Sequence, residues 1–257
     1  MTQTTRNIVN GHVVLLLAGM ALVGNATAGT VFDTPLVAPP GFYNGSGNAN
    51  SNFTVSQDGT TELGLSVILR YVGPIDPGTG SSTYVVPTGS APSPHTGSAW
   101  GFMFSVNTEY NGGTAVLGNF NYTLNVTDLT TSNVGSTFDP VRLITDDSGF
   151  GASGVSTITS RGGLGVNLST EWGAQNSEAP SFAGFLTGFN PNAPDLYKIT
   201  LSELSSSGTT LESVSVLANA TGSSGSSVAP EPASFGLIGF GLVTLAFAAR
   251  KRSRSEV

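Results

Sequence analysis

The chain has no cysteine in 257 residues, which removes a disulfide framework, a thiol nucleophile and a thiolate metal site in one step. Charge is scarce: 10% of residues are Asp, Glu, Lys or Arg, against roughly 25% in ordinary globular chains. With two histidines in all, a multi-histidine zinc site is excluded by count. The basic residues are placed against nucleic-acid binding, which needs Lys and Arg clustered where phosphates lie. Arg6 is near the start, and Arg250, Lys251, Arg252 and Arg254 are in the last eight positions. Only Arg70, Arg142, Arg161 and Lys198 lie between. Residues 29–229 hold fourteen acidic side chains against those four, a formal charge of −10 within a chain of −7. The ends and the middle therefore differ in kind.

The first end reads as a secretory signal peptide over residues 1–28. Arg6 supplies the positive region, residues 13–23 an apolar run, and Ala26-Thr27-Ala28 the small-x-small cleavage site. A helix is expected there, engaged by the export machinery, with the mature chain starting near Gly29.

At the other end a Gly/Ser-rich linker over 220–229 is followed by Pro230-Glu231-Pro232, an apolar run over 233–249 and a basic cluster of Arg250, Lys251, Arg252 and Arg254, leaving 255–257 as a tail. Seventeen helical residues span roughly 25 Å, at the short edge of a bilayer crossing. The basic cluster would stay cytoplasmic by the positive-inside rule, which places 29–229 outside.

Pro230, Glu231 and Pro232, followed by Phe235-Gly236-Leu237-Ile238-Gly239 and the arginine-rich stop, resemble the PEP-CTERM sorting signal of Gram-negative bacteria over residues 230–254. The resemblance implies recognition by an exosortase-type membrane peptidase, cleavage near Pro-Glu-Pro, and delivery of the body to the cell surface or extracellular polysaccharide matrix. A C-terminal anchor that is never cleaved is the other reading of the same segment. The body is also similar, more loosely, to bodies of other PEP-CTERM proteins through Phe42-Tyr43-Asn44-Gly45 and the segment 169–178, a likeness that implies no activity.

Residues 29–219 suffice for one domain with a real core. With 34 Gly, 32 Ser and 30 Thr in the chain, and apolar residues alternating at period two, the body reads as all-β. The clearest strands are 62–70, with Leu63, Leu65, Val67 and Leu69 on one face; 100–106, with Trp100, Phe102, Phe104 and Val106; and 120–126, with Phe120, Tyr122, Leu124 and Val126. Further strands are expected at 140–145, 154–159, 164–168, 182–186, 197–201 and 210–217. Asn111-Gly112-Gly113 reads as a hairpin turn. Alternation points to antiparallel sheets with one buried face, so the expected architecture is a two-sheet, jelly-roll-like β-sandwich. No repeat period supports a β-solenoid.

Chemistry-bearing residues are few. His95, in Pro94-His95-Thr96-Gly97, has the surroundings of an exposed loop rather than of a rigid triad. Glu171 beside Trp172, and Glu109 beside Tyr110, offer a carboxylate next to an aromatic of the kind that stacks on a sugar ring, and a glycoside hydrolase needs two carboxylates roughly 5–10 Å apart; the preferred reading of both pairs is structural, with Trp172 packed at a sheet edge and Glu171 solvated. Trp172 and Trp100 are the candidate glycan-stacking residues. Asp146 and Asp147 in Asp-Asp-Ser-Gly are the candidate calcium ligands, although the EF-hand spacing is missing and turn chemistry alone accounts for the sequence. Asn-x-Ser/Thr sequons read as a by-product of composition. No catalytic residue is assigned and no cofactor is expected, calcium aside. The leading expectation is a non-enzymatic surface or matrix protein that contacts exopolysaccharide, and the alternative is a carbohydrate-binding or glycan-cleaving domain. A self-assembling surface-layer subunit is a third possibility.

Overall fold

A computed structural model describes residues 29–37, 53–142, 148–162, 166–182 and 185–221. The described chain is all-β. Its strands are β1 (Gly29–Thr34), β2 (Phe53–Asp58), β3 (Thr61–Leu69), β4 (Gly73–Pro74), β5 (Thr83–Pro87), β6 (Trp100–Asn107), β7 (Asn121–Asp128), β8 (Asn133–Val134), β9 (Ser148–Gly151), β10 (Ser160–Gly162), β11 (Gly173–Glu178), β12 (Asp195–Leu204) and β13 (Thr210–Thr221). One sheet runs β1-β2-β3-β6-β11-β9-β10, with β4 on the end of β3; the other runs β5-β13-β12-β7-β8. The pairings are antiparallel, except that β5 runs parallel to β13.

The five-stranded sheet follows the period-two expectation. In β7 and β12 the even or odd set alone is buried: Tyr122, Leu124 and Val126 on one, Tyr197, Ile199 and Leu201 on the other. These side chains share one core with Leu63, Leu65, Val67, Trp100, Phe102, Phe104 and Val106 of the facing sheet. The two sheets thus pack on each other through the residues whose alternation marks them in the sequence.

The larger sheet departs from the expectation of one buried face. β6 is buried at every position and β3 at nearly every one, because Phe53, Val55, Ile68 and Met103 form a second small core on its outer side, with Leu36 packed against it. Gly64 permits this cover: a Cβ there would lie 2.8 Å from Leu36 Cδ2 and 3.2 Å from Phe53 Cδ1.

Several expected strands are turns. At 140–142 the Asp139 carboxylate accepts the Val141 and Arg142 N–H groups and pairs with the Arg142 guanidinium, so the backbone closes locally instead of joining a ladder. The Asn167 side-chain oxygen accepts from the Ser169 N–H and hydroxyl, and its backbone carbonyl accepts from the Thr170 N–H, a turn that ends any strand at 166–168. Residues 154–159 connect β9 to β10. Of the run expected at 182–186, Phe182, Phe185 and Leu186 are in bends and turns rather than a strand, and residues 183–184 lie outside the described residues. Asn111 and Gly112 take the positive φ expected of them, 49° and 78°. They form a 3₁₀ turn on a crossover from β6 of one sheet to β7 of the other, so the hairpin reading is corrected to an inter-sheet connection.

The expected signal helix at 1–28 and membrane helix at 233–249 lie outside the described residues. Among the described residues the helical elements are short 3₁₀ turns at Tyr110–Gly112 and Leu117–Asn119, and no helix is long and apolar enough to cross a membrane. β13 continues to Thr221, so Ala220 and Thr221, expected in the linker, form the last rungs against Val86 and Pro87.

The register defines two ends of the body. Asp195 pairs with Ala220 and Leu69 with Trp100, and the Trp100 ring lies 5.4 Å from that of Tyr197. The last residues of β13 and of β3 therefore share one end, hereafter the tail end. The β12–β13 turn, where Leu204 pairs with Thr210, is at the far end. Gly29 pairs with Gln57 beside the β2–β3 turn, away from Leu69.

Candidate functional site

The residues with the most specific sequence signal, Pro230, Glu231, Pro232, Arg250, Lys251, Arg252 and Arg254, lie outside the described residues, as do Ala26, Ala28, Asp146 and Asp147. What the fold adds is the point from which the tail departs: Thr221, the outer rung of a twelve-residue strand.

Of the two tryptophans, Trp100 is 1% exposed, packed against Tyr197 and edge-on to Phe189. The sugar-stacking role expected of it is therefore corrected: its indole is a core group with no open face. Trp172 is half-buried just before β11, with its backbone bonded to Gly151 and Thr108. Glu171 beside it is buried and accepts a hydrogen bond from Thr159 Oγ1. Glu109 accepts from Ser153 Oγ and from the Gly154 N–H. The fold thus brings both sequence-selected carboxylates to the β9–β10 connection, where each holds that loop. Among the described residues no three His, Asp or Glu side chains gather as metal ligands.

A row of polar groups inside the body carries no motif. Glu203 stands opposite both Tyr122 and Glu212 in register, and all three are buried on the inner face. Burial pushes the Tyr122 phenol well above its ordinary range, with the negative charges of Glu203 and Asp139 adding to it and Arg142 opposing. Glu62, also buried, accepts from Gln57 Nε2 at 2.7 Å and the Val37 N–H at 2.9 Å. Burial raises its carboxyl above the usual range, outweighing the hydrogen bonds from Gln57, Val37 and Asn107 that lower it. Tyr122 and Glu203 are register partners far apart in sequence, which hides such a row from a linear reading.

At the tail end, four side chains form an open cluster. His95 is exposed, as its loop sequence indicates, and stacks on Tyr71 with ring centroids 3.4 Å apart and planes within 8°. The Arg70 guanidinium lies 5.0 Å from the Tyr71 centroid and 5.0 Å from that of Phe182. It donates to the carbonyls of Thr96 and Ser98 and to Tyr71 Oη. Tyr71 is 52% exposed and Phe182 41%. Tyr71 also holds a φ of 63°, a conformation that costs a non-glycine residue roughly 1–2 kcal/mol. Sequence reasoning missed Tyr71 and took Phe182 for a strand residue. The available signal was an aromatic-apolar pair, Tyr71-Val72, directly after a strand and before Gly73-Pro74.

In comparisons with known proteins, a family model described as the PEP-CTERM protein-sorting motif matches residues 228–252. No curated protein and no solved structure matches the chain.

Proposed function

We propose that this chain, which carries a PEP-CTERM protein-sorting motif at its C-terminus, is an exported, non-enzymatic cell-surface or matrix protein, with a jelly-roll-like β-sandwich as cargo and the tail as its address. The observation that carries the reading is the motif match at 228–252, which includes Pro230-Glu231-Pro232, the apolar run and the first basic residues in the order that an exosortase-type membrane peptidase requires. The tail anchors the chain in the membrane before processing, and the acidic, charge-poor body faces outward. A polar surface of Ser, Thr, Asn and Gly suits contact with hydrated exopolysaccharide. The test replaces Pro230, Glu231 and Pro232 by alanine and follows the body by cell fractionation. Retention in the membrane with an intact C-terminus is expected; surface delivery and a C-terminus both unchanged from the parent would refute the sorting role.

A second reading, a carbohydrate-binding or glycan-cleaving domain, is favoured by one observation: half-buried Trp172 next to buried Glu171 at the β9–β10 connection. Glycan-array binding lost in Trp172→Ala, with the fold retained, would establish it. Absence of binding by the folded parent chain would remove it.

A further inference from the structure

We propose that the tail end of the body is a membrane-docking surface, which seats Tyr71, Val72 and Phe182 in the headgroup region of the bilayer that holds the C-terminal segment. This inference rests on the reading of that segment as a membrane anchor before processing.

Three observations carry it. The first is chain length. Thr221 closes β13 at the tail end, and only the eleven residues 222–232 separate it from the apolar run that begins at Ala233. Fully extended, that stretch reaches about 40 Å, so the tail end is held within that distance of the membrane entry point.

The second is the distribution of exposed apolar side chains. Tyr71, Val72 at 69%, Phe182, Leu129 and Val134 all belong to this end. Val72 donates its N–H to Leu69 O at the end of β3, Leu129 donates to Leu196 O at the start of β12, and Asn133, preceding Val134, pairs with Asp128. Val31 and Phe32 are on edge strand β1 and Val85 is on edge strand β5, while Val37, which donates its N–H to Glu62, and Leu211 are at the far end. Apolar groups gathered where the chain enters a bilayer have a partner in the headgroup boundary, which accepts rings with one polar edge.

The third is chemistry. Tyr71 and His95 present an amphipathic stack, and Arg70 stands beside it with no carboxylate partner among the described residues. A guanidinium with apolar neighbours fits the phosphate level of a lipid surface.

The absence of cysteine makes the test direct. Single-cysteine variants Val72→Cys, Leu211→Cys and Val243→Cys of the full chain are labelled with a polarity-sensitive fluorophore. Each is reconstituted in vesicles of phosphatidylethanolamine and phosphatidylglycerol, with and without a nitroxide on the lipid acyl chain. The expected result is quenching at position 243, a blue shift with quenching of about twofold at position 72, and neither at position 211. The effect at 72 is lost when Tyr71→Ser and Phe182→Ser are added. Quenching at 243 with a fully aqueous label at 72 overturns the docking surface and leaves the anchor standing. No quenching at 243 overturns the anchor reading, and the docking proposal with it. A blue shift at 72 that rises with protein concentration in the absence of vesicles assigns the surface to a second copy of the chain and likewise overturns the proposal.

Discussion

Phe185→Ala and Phe182→Ala separate the part of the 179–194 connection that seals the core from the part that faces out. Phe185 is 7% exposed and meets Phe102 and Phe138 edge-to-face, with ring centroids 5.8 and 4.7 Å away. Burying about 150–200 Å² of ring at ~25 cal/mol per Å² is worth about 4–5 kcal/mol. Compactness of the unfolded chain lowers that figure by roughly 10–40%, while the cavity left by truncation raises the loss. The expected destabilisation is about 3–5 kcal/mol. For a body of this size that lowers the thermal midpoint by about 10 °C. Phe182 lies three residues away, is 41% exposed and has the Arg70 guanidinium 5.0 Å from its ring centroid, so Phe182→Ala should cost under about 1 kcal/mol. The assay is urea unfolding of the purified chain in mild detergent, followed by tryptophan fluorescence. Trp100 reports because it packs against Phe189 of the same connection. A loss below about 1 kcal/mol for Phe185→Ala, or equal losses for the two variants, would refute the division of this loop into a plug and an open face.

Other predictions follow from backbone contacts and burial. A Cβ at Gly135 would lie 1.9 Å from Phe185 O and 2.7 Å from Val126 O, both backbone, so Gly135→Ala should destabilise by about 2–3 kcal/mol in the same unfolding assay. Gly59, with φ +60° and nothing within 4 Å of where a Cβ would sit, should lose only about 1–2 kcal/mol on substitution by alanine; equal effects at the two sites would contradict the steric account. Glu62 has a raised carboxyl pKa in the folded state because of burial. Its contribution is therefore full below the unfolded-state pKa and declines as pH rises through the folded value. Glu62→Gln should accordingly gain stability relative to the parent as pH rises across that range, read from unfolding midpoints at stepped pH, and a gain that grows on acidification would reverse the sign of the argument.

Strands whose apolar residues alternate without interruption were legible in the sequence: β3, β6, β7, β12 and β13 all begin or end within a few residues of their expected bounds. β2 and β11 were not, because Phe53-Thr54-Val55-Ser56 and Gly173-Ala174-Gln175-Asn176 place small and polar residues on buried faces. Their burial comes from β3 and β6 beside them, information that is not local. The cluster at the tail end was opaque for a related reason. Tyr71, His95 and Phe182 are far apart in sequence and meet only because three connections converge where β3 ends and β6 begins. The sorting motif was the reverse case: its order along the chain is the signal, and no folded partner is needed to read it.

The most direct test of the account is the intact mass of the body recovered from the surface or matrix fraction of cells that express the full chain with its exosortase-type peptidase. The account predicts a chain that starts near Gly29 and ends near Pro230-Glu231-Pro232, without the basic cluster. A surface-fraction protein whose mass still extends to Val257 would contradict it.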